Sequence, residues 1–133
     1  MGRKLNDAEA EELLASGVTA VLDLTAEFPE VKLLRQTAYY NLQILDLTAP
    51  TFEQLQRAVE FIRKNAMTGV VYVHCKIGYS RTAAAVGAYL MAAGHATDAD
   101  DAMAQMRKAR SPLVIRPEVA EALRAFHTRC CGQ

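Results

Sequence analysis

The sequence has no tryptophan, only three cysteines and no excess of charge of either sign. Fifteen Lys and Arg residues balance fifteen Asp and Glu residues, so no overall positive charge favours binding to nucleic acid. The three cysteines are an odd number without a Cys-x-x-Cys pair, which predicts no disulfide framework and favours a reducing compartment such as the cytoplasm. A binding site for an anion must therefore arise from local structure.

Long apolar runs are also missing. The longest mostly apolar stretch, Ala83 to Gly94, is shorter than the roughly 20 residues that span a bilayer. No apolar signal region follows the Arg3-Lys4 pair. Apolar residues still make up 51% of the 133 residues, which is enough for one core. We predict a soluble single domain over residues 1–133, monomeric and without a membrane span.

Helical and strand patterns alternate along the chain. Capping-box patterns mark two helix starts, Asn6 with Glu9 and Thr51 with Gln54. Strands that alternate with helices are typical of an α/β fold with a central, mostly parallel sheet flanked by helices. The predicted strands cover 18–24, 39–45 and 70–73, and the predicted helices cover 6–16, 51–65, 81–93, 97–109 and 117–128.

The segment that follows the third predicted strand carries the clearest chemical pattern. Cys75 and Arg81 are separated by a loop of five residues between a buried strand and a long helix. The backbone N–H groups of such a loop can point inward around one anion, and the helix N-terminus adds positive charge. The loop residues predicted to bind phosphate in this way are Lys76, Ile77, Gly78, Tyr79 and Ser80.

The side chains around this loop suggest a division of roles. Arg81 can grip two phosphate oxygens with its planar guanidinium. The same positive field stabilises the thiolate form of Cys75, which is then placed to attack phosphorus. Thr82 can donate its hydroxyl to the sulfur when the sulfur leaves again, and His74 can support the loop from beneath. The alternative is a buried structural thiol beside a surface arginine.

These residues resemble the His-Cys-x5-Arg-Ser/Thr signature of the cysteine-dependent protein tyrosine phosphatase superfamily. The ending Gly78-Tyr79-Ser80-Arg81 is similar to its dual-specificity branch, and to bacterial dual-specificity domains above all. The similarity covers nearly the whole chain: the stretch from Gly2-Arg3 to Leu24 resembles the opening of this branch, Tyr72–Leu90 resembles its core, and Ala109–Pro112 resembles its segment behind the loop. It implies a phosphatase-like fold with the phosphate loop between a strand and a helix. It also implies hydrolysis of phosphomonoesters through a phosphocysteine intermediate, without a metal or a cofactor.

Two features bear on how complete this resemblance is. Members of the family usually have a strand ahead of the first helix, whereas this chain is predicted to begin almost at the helix. We therefore interpret it as a minimal domain or a part of a longer protein. The resemblance also implies an aspartic acid upstream that protonates the leaving oxygen. Asp46 matches that position, and Asp23 is the rival, although its apolar strand pattern favours a structural role.

The substrate is less well defined by the sequence. A phosphorylated protein, carrying phosphotyrosine, phosphoserine or phosphothreonine, is the primary expectation. The acidic segment Glu27-Phe28-Pro29-Glu30 resembles a loop of phosphatases that act on phosphatidylglycerophosphate, so a phospholipid such as this one or a phosphoinositide is the alternative. Lys76 occurs in both lipid-directed and cofilin-directed relatives and does not decide between them.

Two other classes of protein use similar loops. A phosphate-binding module without catalysis usually lacks the cysteine, the arginine or the acid, and this chain has candidates for all three. A rhodanese-like sulfurtransferase also has a cysteine loop, but it lacks the Ser80-Arg81-Thr82 ending and needs no Asp46. No metal site is expected, because His95 and His127 have no second ligand at a suitable spacing.

Overall fold

The computed structural model describes residues 2–3, 6–25, 37–44, 48–75, 80–110 and 113–130, with only the backbone described for residues 2–3. Strands and helices alternate in these ranges, as the sequence predicts for an α/β fold. Their bounds are β1 Gly2–Arg3, α1 Asp7–Ala15, β2 Val18–Asp23, β3 Ala38–Asn41, α2 Phe52–Ala66, β4 Val70–Cys75, α3 Ser80–Ala92, α4 Ala99–Ala109 and α5 Pro117–Cys130.

The four strands of the described chain form one parallel sheet in the order β1-β4-β2-β3. The expectation that the chain begins almost at the helix, without the strand that usually precedes it in the family, was wrong, because Gly2 and Arg3 of β1 pair with His74 and Cys75 of β4. On its other side, β4 pairs with β2. The end of β4 is therefore held between two strands, and this fixes the backbone of Cys75.

The strand β3 is shorter than predicted, since it ends at Asn41 rather than at Leu45, which lies outside the described residues. The side-chain amide of Asn41 donates to the carbonyl oxygen of Thr25 across 2.9 Å. In a regular parallel ladder, that carbonyl would accept the next backbone hydrogen bond from β3, after the bond from Leu42 to Asp23. The backbone N–H of Ile44 instead donates to the carbonyl of Leu24 at 3.2 Å, so the chain still follows β2 but leaves the regular register.

Both predicted capping boxes are confirmed. The side chain of Asn6 accepts from the backbone N–H of Glu9, whose carboxylate accepts from the N–H of Asn6 in return. Thr51 and Gln54 make the same reciprocal pair at the start of α2. Each box satisfies two backbone donors that the first helical turn would otherwise leave unpaired.

The two faces of the sheet are covered by different helices. Val21 of β2 packs with Ala10 of α1, whereas its neighbour Leu22 faces Ala58 of α2 and Ala85 of α3. The helix α3 lies between the sheet and the helices α4 and α5, and small residues let it approach them closely. At Gly87, a Cβ atom would lie 3.1 Å from the side chains on α4 and α5. This packing holds the first turn of α3 in a defined place.

In the described part of the chain, no helix combines the length and the apolar character that crossing a membrane requires.

Candidate functional site

The candidate site lies where β4 ends and α3 begins. Cys75 is the last residue of β4, and Ser80 is the first residue of α3. Of the residues predicted to bind phosphate, Lys76, Ile77, Gly78 and Tyr79 lie outside the described residues. The structure thus places both anchors of the predicted loop, at the carboxyl edge of the parallel sheet, where open α/β folds bind their ligands.

Cys75 is a free thiol and is only 3% exposed. It packs on the sheet face that α2 and α3 cover, together with Val73 and Ala85.

Thr82 is fully buried beneath this thiol. Its hydroxyl Oγ1 donates a hydrogen bond to Sγ of Cys75 across 3.1 Å. The β-branched Thr82 sits in the first turn of α3, whose backbone hydrogen bonds fix its position. The donor that the sequence suggests for a departing sulfur is therefore already in contact with that sulfur.

Arg81 is the second buried polar side chain of this turn, and it is 4% exposed. Its Nη1 donates to the carbonyl oxygen of Ile44 at a distance of 2.9 Å. A guanidinium has five N–H donors in a planar fork, a geometry that suits the binding of phosphoryl oxygens. Ile44 lies two positions before Asp46, which itself lies outside the described residues. The arginine thus links α3 to the segment that leads into the proposed acid.

His74 is buried behind Cys75 on the opposite face of the sheet, because side chains alternate along a strand. Its Nε2 atom lies 3.9 Å from Oδ1 of Asp23. Its ring stacks on Tyr72 with 5.5 Å between the ring centroids. The His74 ring therefore has one neighbour on β2, Asp23, and one on its own strand, Tyr72. Neighbours on both strands are compatible with the predicted role of His74 in supporting the loop from beneath.

Asp23 accepts hydrogen bonds at both carboxylate oxygens. Oδ1 accepts from the backbone N–H and the hydroxyl of Thr25, at 2.9 and 2.7 Å, and Oδ2 accepts from the Tyr39 hydroxyl at 2.6 Å. The carboxyl group is 1% exposed and occupied by these donors. The structural interpretation of Asp23 agrees with this geometry.

The segment before α5 also contacts the first residue of α3. The Ser80 hydroxyl donates to the carbonyl of Val114 at 3.3 Å and accepts from the backbone N–H of Arg116 at 3.2 Å. The resemblance to the phosphatase family implies that Ala109–Pro112 lies behind the loop. Residues 111–112 lie outside the described residues, and the contacts observed come from positions a few residues later. Backbone contacts of this kind leave no residue-type pattern in the sequence.

The acidic segment at residues 27–30 also lies outside the described residues. Among the residues that the structure describes, no group of three or more His, Cys, Asp and Glu side chains could hold a metal ion. The described part of the site comprises the buried thiol of Cys75, the Thr82 hydroxyl that donates to its sulfur, and the buried guanidinium of Arg81, which immediately precedes Thr82 in α3.

Comparison with known proteins identifies relatives over nearly the whole chain. The family described as "Dual specificity phosphatase, catalytic domain" matches residues 3–129. The rat protein "Phosphatidylglycerophosphatase and protein-tyrosine phosphatase 1" is 42% identical over 89 residues, which are 65% of this chain and 46% of that protein. Mouse "Protein phosphatase Slingshot homolog 3" is 31% identical over 125 residues, which are 88% of this chain and 18% of that protein.

Solved structures show the same similarity. The crystal structure of PTPMT1 in complex with PI(5)P has a TM-score of 0.87 and 30% sequence identity, and the match covers 98% of this chain and 90% of that one. The predicted fold is thereby confirmed. The chain spans about half the length of the rat relative it matches.

Proposed function

The chain belongs to the dual specificity phosphatase catalytic-domain family, and on this premise we propose that it hydrolyses phosphomonoesters through a phosphocysteine intermediate. The observation that carries the proposal is the 3.1 Å hydrogen bond from the Thr82 hydroxyl to the Cys75 sulfur. A donor aimed at a buried sulfur has a chemical use when that sulfur gains and loses a covalent partner. The buried guanidinium of Arg81, on the adjacent residue, supplies the positive charge that a phosphoryl group needs.

In the first step, the thiolate of Cys75 attacks phosphorus, so that an S–P bond forms as the bond to the leaving oxygen breaks. Arg81 and the backbone N–H groups of residues 76–80 bind the phosphoryl oxygens. Asp46 donates a proton to the leaving oxygen, which departs as an alcohol or a phenol.

In the second step, a water molecule attacks the phosphocysteine, and Asp46 accepts a proton from that water. The S–P bond breaks and inorganic phosphate is released. The Thr82 hydroxyl stabilises the departing thiolate of Cys75 by a charge-assisted hydrogen bond. In this scheme Arg81 and the backbone N–H groups stabilise the negative charge of the phosphoryl group, and we propose that no cofactor or metal takes part.

For the substrate, we propose a phosphorylated protein that carries phosphotyrosine, phosphoserine or phosphothreonine. The support is that the mouse Slingshot relative is named a protein phosphatase and that the rat relative is named, in part, a protein-tyrosine phosphatase.

A phospholipid is the second candidate, and a specific observation favours it. The rat relative is also named a phosphatidylglycerophosphatase, and PTPMT1 was crystallised with PI(5)P. Phosphatidylglycerophosphate and phosphoinositides each carry a phosphomonoester, so the same chemistry at Cys75 serves both classes of substrate. The two classes differ in what surrounds the phosphate group.

The decisive experiment compares these substrates directly. Release of inorganic phosphate is measured with phosphotyrosine, phosphoserine and phosphothreonine peptides, phosphatidylglycerophosphate and phosphoinositides, with the Cys75→Ser variant as the blank. A kcat/KM at least about tenfold higher for one class assigns the substrate. No phosphate release from any of them would contradict the proposed function, and sulfur transfer from thiosulfate would point to a sulfurtransferase instead.

We also propose that the domain acts as a monomer in a reducing compartment such as the cytoplasm. A thiolate nucleophile requires that Cys75 stay reduced, since oxidation converts the thiolate to a sulfenic acid or a disulfide. Rapid alkylation of thiols in intact cells, followed by mass spectrometry, should find Cys75 reduced, and light scattering should give the mass of one chain.

A further inference from the structure

Three polar side chains lie side by side across the sheet face that α1 covers. They are His74 of β4, Asp23 of β2 and Asn41 of β3, and we call them the polar row. The register of the sheet aligns them, since Asp23 pairs with His74 on one side and with Asn41 on the other. They stand at the carboxyl ends of their strands, directly behind Cys75.

The central carboxylate of the polar row is held in one orientation. Oδ1 of Asp23 accepts both hydrogen bonds from Thr25 and faces Nε2 of His74 at 3.9 Å, while Oδ2 accepts from the Tyr39 hydroxyl. A carboxylate that is 1% exposed needs such donors, because burial without them would be strongly unfavourable. The orientation of Asp23 therefore fixes a negative group beside the His74 ring.

Backbone hydrogen bonds join the same three strands at the same level. The N–H of Leu24 donates to the carbonyl of His74 at 2.9 Å, and the N–H of Leu42 donates to the carbonyl of Asp23 at 2.9 Å. The Asn41 side chain adds a bond of 3.0 Å to that second carbonyl. Each strand end is thus attached to its neighbour just before the chain continues into residues 26–36, 45–47 and 76–79.

From this arrangement we infer that Asp23 is a positioning residue for the nucleophile and acts through His74. The carboxylate lies 3.9 Å from Nε2 of His74 on one face of β4, and Cys75, the next residue, accepts from the Thr82 hydroxyl on the other face. The inference rests on the proposed phosphatase function. In this role, Asp23 affects the rate of the reaction without contacting the substrate. A purely structural Asp23 would affect only the stability of the fold.

The size of the effect follows from the geometry of attack. In-line displacement at phosphorus needs the sulfur within near-attack distance, and a displacement of about 1 Å can reduce a rate by about a hundredfold. Asp23→Asn keeps the shape of the side chain but removes its charge. We expect kcat with p-nitrophenyl phosphate to fall at least about tenfold, while KM changes by less than about twofold.

A double-mutant cycle separates a route through His74 from a general weakening of the sheet. His74→Asn removes the ring atom that faces Asp23. If Asp23 acts through His74, the double variant should be no slower than His74→Asn alone, because the interaction is then already lost. Additive losses in log kcat would overturn the inference. If Asp23→Asn does not fold, Thr25→Val, which removes the hydroxyl bond to Oδ1 of Asp23 but keeps the backbone one, should lower kcat about threefold with the same lack of additivity.

A matched control tests the same pair of strands at their other end. The Thr19 hydroxyl accepts from the N–H of Val70 at 3.1 Å and so joins β2 to β4 far from Cys75. Thr19→Val should lower the thermal midpoint yet leave kcat within about twofold of the wild type. If Thr19→Val slows catalysis as much as Asp23→Asn does, or if Asp23→Asn lowers only the midpoint, Asp23 is structural.

A readout without turnover keeps this inference distinct from the proposed function. Iodoacetate alkylates the Cys75 thiolate, and the modified peptide is followed by mass spectrometry. Alkylation should be at least about fivefold slower in Asp23→Asn than in the wild type and unchanged in Thr19→Val, on the same geometric grounds. An unchanged alkylation rate in Asp23→Asn would overturn the inference. A wild-type protein that releases no phosphate would overturn only the proposed function.

Discussion

The hydroxyl of Thr82 contacts the sulfur of Cys75 at 3.1 Å, although seven positions separate the two residues in the sequence. The contact joins the first turn of α3 to the last residue of β4. The loop between these elements therefore starts and ends at points that are fixed relative to each other.

Replacing the nucleophile should abolish turnover but not binding. Cys75→Ser puts a poorly nucleophilic hydroxyl in place of the thiolate, while the backbone donors and Arg81 remain. Hydrolysis of p-nitrophenyl phosphate should fall below detection, and calorimetry should still detect binding of inorganic phosphate. Cys130→Ser is the matched control, because Cys130 lies at the exposed end of α5, and it should keep full activity. Residual activity of Cys75→Ser above a few per cent would contradict a covalent mechanism.

Replacing the guanidinium by an ammonium should slow the reaction strongly. Arg81→Lys keeps the charge but loses the planar fork that grips two phosphoryl oxygens. It also weakens the bond to the Ile44 carbonyl, which connects α3 to the segment before Asp46. We expect kcat to fall by about 10²–10³-fold, as when one key donor to a developing negative charge is removed.

The control for this arginine lies on α5. Arg124 is 55% exposed and pairs with Asp100 at the surface. Arg124→Lys should therefore leave kcat and KM as in the wild type. If Arg81→Lys is equally mild, the buried guanidinium serves the fold alone and the phosphate clamp lies elsewhere.

Removing the Thr82 hydroxyl should slow the second step in particular. Thr82→Val preserves the shape of the side chain but offers no proton to the departing sulfur. A hydrogen bond to a charged group contributes roughly 1.5–3 kcal/mol, so hydrolysis of the phosphocysteine should slow about tenfold to a hundredfold. Rapid-mixing kinetics should then show a burst of nitrophenol followed by slow turnover. Thr82→Ser restores the hydroxyl and should recover most of the rate. If Thr82→Val shows no burst, the hydrogen bond from Thr82 to Cys75 does not assist the second step.

The sequence predicted most of the fold because its signals are local. Capping residues mark the starts of α1 and α2, and apolar runs mark the buried strands β2 and β4. It missed β1, since two residues are too short for any periodicity, and their strand character comes from pairing with β4. It extended β3 too far, because Leu42 and Ile44 are apolar and buried like strand residues although the ladder is irregular there.

The candidate site was predictable in its residue types but not in its contacts. The spacing of Cys75 and Arg81 is a pattern of side chains that chemistry explains. One partner of Arg81 is the backbone carbonyl of Ile44, 37 positions away, and any residue can supply a carbonyl. The same applies to the bonds of Ser80 with Val114 and Arg116. Contacts between distant backbone groups follow from the packed fold alone.

The last prediction concerns the proposed general acid, Asp46. If it donates the proton to the leaving oxygen, its removal should matter in proportion to the basicity of the leaving group. Asp46→Ala should slow hydrolysis of a phosphotyrosine or alkyl phosphate substrate by about 10²–10⁴-fold. A nitrophenyl ester should be slowed much less, since its leaving group departs without a proton. The basic limb of the pH–rate profile should also disappear in the variant.

Asp23→Asn provides the comparison, because it too replaces a carboxylate near the site. The Asp23 carboxyl group is buried and accepts from Thr25 and Tyr39, so it is not free to protonate a substrate. Its loss should therefore slow both kinds of substrate by the same factor and keep the basic limb. Equal losses for both leaving groups in Asp46→Ala, with the basic limb intact, would show that another residue is the acid. Glu27, in the acidic segment after β2, would then be the next candidate, because Asp23 is already committed to other donors.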